Sequence, residues 1–108
     1  LGFLGFSATS VALDDGTLTY IDAGDAVTVT GCVNNNCPTD LVIPANIDGR
    51  PVVSIANAAF GNSYLTSVTI PSTVTHIGEY AFSYNQLTSV IIPAGLTSID
   101  AWVFFSNQ

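Results

Sequence analysis

Apolar positions in the second half of the chain recur at a constant interval. Leu65, Val68, Ile70, Pro71, Ile77 and Phe82 return as Leu87, Val90, Ile92, Pro93, Ile99 and Phe104, each 22 residues later. A period of that length marks a solenoid, in which a unit cannot bury its own apolar face and is stable only when stacked on its neighbours. Ile55, Ala59 and Phe60 stand 22 residues before Ile77, Ala81 and Phe82, so a third copy precedes these two. Its first half is longer, with Leu41, Ile43 and Pro44 lying 27 residues before Val68, Ile70 and Pro71. The surplus is the stretch 47–52. Asp48 and Gly49 followed by Pro51 are turn chemistry, because Gly49 can take a positive φ and Pro51 fixes the exit. A loop in the first coil is expected there.

Within a unit the spacing changes character. Val68 and Ile70 alternate with Ser67 and Thr69, a period of two that predicts a short strand ended by Pro71. Val74, Ile77, Ala81 and Phe82 then fall at spacings of three, four and one, which predicts one or two turns of α- or 3-10 helix packed behind the strand. Upstream, residues 16–22 and 26–30 read as two alternating strands around the turn Ala23, Gly24, Asp25. Such a hairpin would cover the open end of the solenoid, where a stacked core otherwise presents an apolar face and a strand edge.

The pattern L-x-x-V-x-I-P from Leu65 to Pro71, followed by I-G-x-x-A-F from Ile77 to Phe82, resembles the BspA-like leucine-rich repeat of bacterial surface proteins. Residues 43–55, with their I-D-G-x-P-V insertion, resemble the usual first repeat of that family. The last copy departs from the pattern, with Asp100 for Gly78 and Val103 for Ala81, which bears on its local turn geometry. The fold expected is α/β: a right-handed leucine-rich repeat solenoid with a short strand and a short helix per coil and an N-terminal β-hairpin cap. Residues 13–40 form the cap and disulfide loop, and 41–64, 65–86 and 87–108 are the repeats. The resemblance also implies surface display and attachment to proteins or cells.

Length and composition fit one domain of 108 residues, and a 48% hydrophobic content with only 8% charged residues describes a folded chain. The net charge of −7, with a single Lys or Arg, excludes nucleic-acid readers, which displace phosphate counterions with cations. Anionic membrane surfaces are disfavoured for the same reason.

Residues 1–12 carry no charge and are too few to span a bilayer. Ser10 and Ala12 place small residues at the −3 and −1 positions of a cleavage site before Leu13, so the segment reads as the tail of a signal peptide. No membrane insertion is expected once it is removed. At the other end the sequence stops where the next Leu-Thr-Ser-Val would begin, and further repeats of the same chain are expected after Gln108.

In an exported protein, Cys32 and Cys37 read first as a disulfide, with a free thiol pair as the alternative. Zinc is poorly served, because only His76 could join the two thiolates and a structural site takes four ligands. No cofactor is implied. The repeat register then controls every remaining candidate. His76 aligns with Ser54 and Ser98, and Glu79 with Asn57 and Ala101, so neither position recurs as chemistry and no catalytic residue is assigned.

Aromatics break the register in a more informative way. Tyr80 aligns with Ala58 and Trp102, and Tyr84 with Asn62 and Ser106, so these rings stand where the coil does not require them. Tyr80, Tyr84 and Trp102 are candidate contacts, with packing between coils as the plainer alternative. The second candidate face consists of Ser67, Thr69, Ser89 and Ile91, which point outward if Val68, Ile70, Val90 and Ile92 point inward. A Thr ladder on it would suit ice or glycan, but Ile91 interrupts the row.

The function expected is a secreted or cell-surface bacterial module for protein interaction or adhesion, without catalysis, whose ligand is a protein or cell-surface group. The alternative is a carbohydrate-binding or structural accessory segment of a larger secreted enzyme. If the export signal is read correctly, N-terminal sequencing of the secreted protein begins at or near Leu13; a mature product that retains residues 1–12 refutes it.

Overall fold

The computed structural model describes residues 13–14 and 16–107; the signal-like segment 1–12 lies outside the described residues. The described residues open with β1 (Leu13–Asp14), β2 (Leu18–Asp22) and β3 (Val27–Cys32), paired antiparallel in that order. Alternation explains the hairpin: Leu18, Tyr20, Val27 and Val29 are buried, while Thr19, Ile21, Thr28 and Thr30 face away from the core. The strands expected from the sequence are therefore present. A single 3-10 turn, Val33–Asn35, follows, and the Cys32–Cys37 disulfide closes the loop around it.

From β3 onward the pairing becomes parallel. β4 (Asp40–Val42), β5 (Asn46–Ile47), β6 (Arg50–Ile55), β7 (Ser67–Thr69), β8 (His76–Ile77) and β9 (Ser98–Ile99) complete the strands. One ladder runs β3-β6-β8-β9 and places Val29, Ile55, Ile77 and Ile99 side by side; the other joins β4 to β7 and sets Leu41 beside Val68. Residues one period apart thus become neighbours. The insertion in the first coil is an antiparallel hairpin of β5 with β6, turned by Asp48 (φ 54°) and Gly49 (φ 80°). Positive φ at both central residues is the turn that matches strand twist, and Asp-Gly is a favoured pair for it. Arg50 ties this turn to the first hairpin. Its Nε donates to the Gly24 carbonyl at 2.6 Å and its Nη1 to Asp22 at 2.8 Å. With the guanidinium about one-third exposed, the tie positions the turn more than it stabilises the fold.

The helix expected behind each strand does not form. Residues 57–62, 79–84 and 101–106 are successive turns, and no α-helix occurs among the described residues, so the architecture is β-strands and turns and not α/β. The reason lies in the backbone. Ala58, Tyr80 and Trp102 have φ of 56°, 60° and 62°, and Asn62, Tyr84 and Ser106 have φ of 54°, 57° and 62°. A left-handed residue at two fixed places per coil breaks the i to i−4 ladder. Alternate N–H groups are redirected along the stack: Ala58, Phe60 and Asn62 donate to the carbonyls of Glu79, Ala81 and Ser83 at 2.8–2.9 Å. Tyr80, Phe82 and Tyr84 repeat this onto Ala101, Val103 and Phe105. The intervening N–H groups close local turns, as in Ala59 to Ala56 and Gly61 to Ala58. The last copy keeps this geometry despite Asp100 and Val103. Gly78 is required by close approach, since a Cβ there would run into the backbone and side chain of Asn57.

Two side-chain columns fill the space between ladders and turns. Phe60, Phe82 and Phe104 stack with centroids 5.5 and 5.8 Å apart and planes within 13° and 9°. Next to them, the buried Asn85 amide donates to the carbonyls of Phe60, Phe82 and Ser83 and accepts from the N–H groups of Ser63 and Leu65. Asn107, one period later, does the same with Phe82, Phe104 and Leu87. Each amide satisfies backbone groups of its own coil and of the coil before it.

Two stability predictions follow from these columns. Asn85→Ala strands several buried backbone groups and should lower the unfolding free energy by about 3 kcal/mol or more, with the half-buried Asn107→Ala costing less; equal and small losses in denaturant titrations would contradict the account. Tyr84→Gly relieves a left-handed residue at roughly the value of the ring contact it deletes, so it should change stability by under about 1 kcal/mol, against a loss of about 3–5 kcal/mol for Phe82→Ala. A large cost for Tyr84→Gly would make the ring a structural element.

Candidate functional site

The aromatic residues singled out in the sequence come together on the turn side of the coils. Tyr80 and Tyr84 lie in one coil and Trp102 in the next, and the ring that joins them is Phe105. Its centroid is 6.4 Å from that of Tyr80, 5.6 Å from Tyr84 and 5.5 Å from Trp102, with interplanar angles of 83–89°. In edge-to-face contact of this kind the edge of one ring rests on the face of the other, which holds the rings in place. All four are exposed, from 36% for Tyr80 to 57% for Trp102. The ring contact of Trp102 is with Phe105 of its own coil and not with a ring of the coil before it. Tyr64, also left-handed at φ 60°, adds another exposed ring in the coil before.

Phe105 was not signalled by the repeat. Its register partners are Gly61 and Ser83, and Ser83 is buried with its hydroxyl donating to the Tyr80 carbonyl at 3.0 Å. A small residue at this position becomes Phe only in the third coil, where the ring reaches back to Tyr80 and Tyr84. The signal was present as a departure from period.

The strand face is arranged as expected in orientation and only in part as a sheet. Ser67, Thr69, Ser89 and Ile91 are all exposed, while Val68 and Ile70 are buried. Ser67 and Thr69 lie in β7 and pair with Asp40 and Val42; Ser89 and Ile91 extend the rows without belonging to a strand. Ser67 Oγ donates to Asp40 Oδ1 at 2.8 Å. Val42, Thr69 and Ile91 make a second row, with Ile91 86% exposed. Val90 and Ile92 are less covered than Val68 and Ile70, because no coil of the described chain lies on the third.

On the opposite ladder the structure gathers groups that the register treated separately. His76 Nδ1 lies 3.1 Å from Ser98 Oγ, and its Nε2 lies 3.4 Å from Asp100 Oδ2. The His76 and Asp100 side chains are each about two-fifths exposed on an open strand surface, so they lack the dry, preorganised surroundings that strengthen a hydroxyl nucleophile. A cleft of about 320 Å³ beside the disulfide is lined by Asn35, Asn62 and Ser63 with Cys32 and Cys37, and carries no ionisable group. No group of three or more His, Cys, Asp or Glu suited to a metal occurs among the described residues.

Comparison with known proteins agrees with this architecture. The family model described as BspA type Leucine rich repeat region (6 copies) matches residues 32–108. A leucine-rich repeat protein of T. pallidum is similar in structure, with a TM-score of 0.72 and 28% identity over 88% of this chain and 45% of that one. A leucine-rich repeat protein of Bacteroides ovatus gives 0.63 and 25% identity over 90% and 33%. One from Bacteroides capillosus gives 0.62 and 24% over 94% and 93%, which is a likeness of fold. The chain therefore spans less than half the length of the first two. No protein with a curated description matches significantly. With the repeat register, the stacked ladders and a family match over more than half its length, the chain belongs to the BspA-type leucine-rich repeat family.

Proposed function

We propose that the chain is a secreted or cell-surface bacterial module for protein interaction or adhesion, which works by non-covalent contact and carries no chemistry of its own. One observation carries the reading: Tyr80, Tyr84 and Trp102 occupy left-handed positions that favour Gly or Asn, yet present exposed rings around Phe105. Left-handed backbone costs a bulky L-residue about 1 kcal/mol or more, so such rings add little to the fold and much to a contact surface. Tyr and Trp are the side chains that most often anchor protein interfaces. The strand face of Ser67, Thr69, Ser89 and Ile91 supplies a second, flatter contact area.

Export is supported by the Cys32–Cys37 disulfide, a bond that persists in oxidising compartments. The coil is read as right-handed, the general rule for parallel strands joined by crossovers, and the first hairpin as the cover of that end. The exposure of the rings also favours a second reading, in which Tyr80, Tyr84 and Trp102 stack on sugars as part of an accessory segment of a secreted enzyme.

The two readings separate by cross-linking on whole cells. With benzoylphenylalanine in place of Tyr84, adducts destroyed by protease and resistant to glycosidase are expected. Adducts sensitive only to glycosidase, or labelling no stronger than from a probe at the exposed Asp25, overturn the protein-binding reading.

A further inference from the structure

We infer that the cleft between the disulfide loop and the first coil takes an extended segment of a partner protein, whose backbone N–H groups pair with the carbonyls of Asn57, Ala59 and Gly61. This rests on the protein-interaction reading and adds to it a site that none of the four rings lines.

The ladder on the turn side is interrupted at the cap. In the second coil the carbonyls of Glu79, Ala81 and Ser83 accept from the coil before, and in the third those of Ala101, Val103 and Phe105 do the same. Their first-coil equivalents are Asn57, Ala59 and Gly61. Donors for these would have to come from the cap, where Thr28 and Val29 pair with Ser54 and Ile55 and so set Cys32, Asn34 and Asn36 at the places of Ala58, Phe60 and Asn62. No N–H of residues 32–37 bonds to the turns 57–62. The coils keep their two left-handed residues four apart, whereas in the cap they are the consecutive Asn34 and Asn35, at φ 55° and 56°. The loop therefore curls on itself: the Asn36 N–H donates back to the Val33 carbonyl at 3.0 Å and the Val33 N–H to the Thr17 carbonyl at 2.8 Å. The Cys32–Cys37 bond closes it in that shape.

A row of acceptors is left beside a gap. The carbonyls of Asn57 and Ala59 receive no hydrogen bond among the described residues, and that of Gly61 receives one from the Ser63 hydroxyl at 3.3 Å. The Ala59 oxygen faces the cap, since it lies 3.1 Å from where a Cβ on Gly31 would stand, and Gly31 has no side chain to cover it. The cleft of about 320 Å³ has Ala59 and Gly61 on the coil side and Cys32, Asn35 and Cys37 on the cap side. An open ladder edge is a template for another backbone. Acceptors at alternate residues require donors at alternate residues, the pattern by which each coil here meets the next. A hard cation would need oxygens converging on one point and charge to balance it, and no ionisable group lines the cleft. Ala58, Ala59, Gly61 and Ser63 favour a segment with small side chains.

NMR titration of the whole, isotope-labelled chain with blocked hexapeptides of Gly, Ala, Ser and Thr, up to about 10 mM, tests the site. Shifts are expected at Asn35, Ala59, Gly61 and Asn62. One ester in place of a central amide leaves three alternate N–H groups in the neighbouring register, so affinity should hold within about twofold. Esters at the third and fourth amides leave no such run and should weaken binding at least about fivefold. No shift at these residues with any peptide, or equal binding of the doubly substituted one, overturns the proposal. So does N-acetylglucosamine shifting the same resonances where no peptide does, because the donors are then hydroxyl groups. Any of these failures with protease-sensitive adducts still forming at position 84 removes the cleft and leaves protein binding in place.

Discussion

Everything in this molecule depends on sending backbone hydrogen bonds along the stacking axis instead of around a helix. The N–H groups of Ala58, Phe60 and Asn62, then those of Tyr80, Phe82 and Tyr84, point to the next coil. That choice brings Phe60, Phe82 and Phe104 into one column at 5.5–5.8 Å, a little more than the spacing of paired strands. Backbone bonds set the repeat distance, and aromatic burial rewards it. Neither would hold alone: a turn ladder without the rings has no core, and rings without the ladder have no register.

Left-handed residues are the cost of the arrangement. They reverse the backbone twice per coil so that alternate amides face along the axis, and they recur at the same two positions whatever side chain is present. Asn85 and Asn107 complete the device by meeting the carbonyls and amides that turns leave open where the chain swings back towards the strand. Leaving such groups unpaired in a buried place costs about 1–3 kcal/mol each, comparable to the net contribution of a core side chain.

Period, strands and core were legible because they rest on identity between copies: the phenylalanine column, the hairpin 18–32 and the Asp48-Gly49 turn all follow from spacing and turn chemistry. The helix was not, because spacings of three, four and one mark which residues face inward and say nothing about the backbone path between them. A left-handed Tyr or Trp has no sequence signature, unlike a Gly. Asn85 and Asn107 were visible as a pair one period apart, yet polar residues in a Ser, Thr and Asn-rich chain stand out poorly from solvated positions. The candidate surface divides in the same way: Tyr80, Tyr84, Trp102 and Phe105 are departures from register, whereas the contacts of Phe105 with Tyr80 and Tyr84 and the grouping of His76 with Ser98 and Asp100 arise only when coils are laid side by side.

A ladder made of main-chain atoms also decides where function can sit. Because the amides of residues 58, 60 and 62 bond to the next coil through the backbone, the side chains at positions 58 and 62 and their later equivalents are free of structural duty, apart from tolerating positive φ. Inward columns such as Ile55 and Ile77 cannot vary without opening a cavity. Variation is widest in exterior columns, and on the turn side it has run from Ala58 to Tyr80 to Trp102. Rings replace smaller side chains between the first and the third of these coils while the scaffold beneath them stays the same, which is how a repeat can acquire a local contact surface without altering its fold.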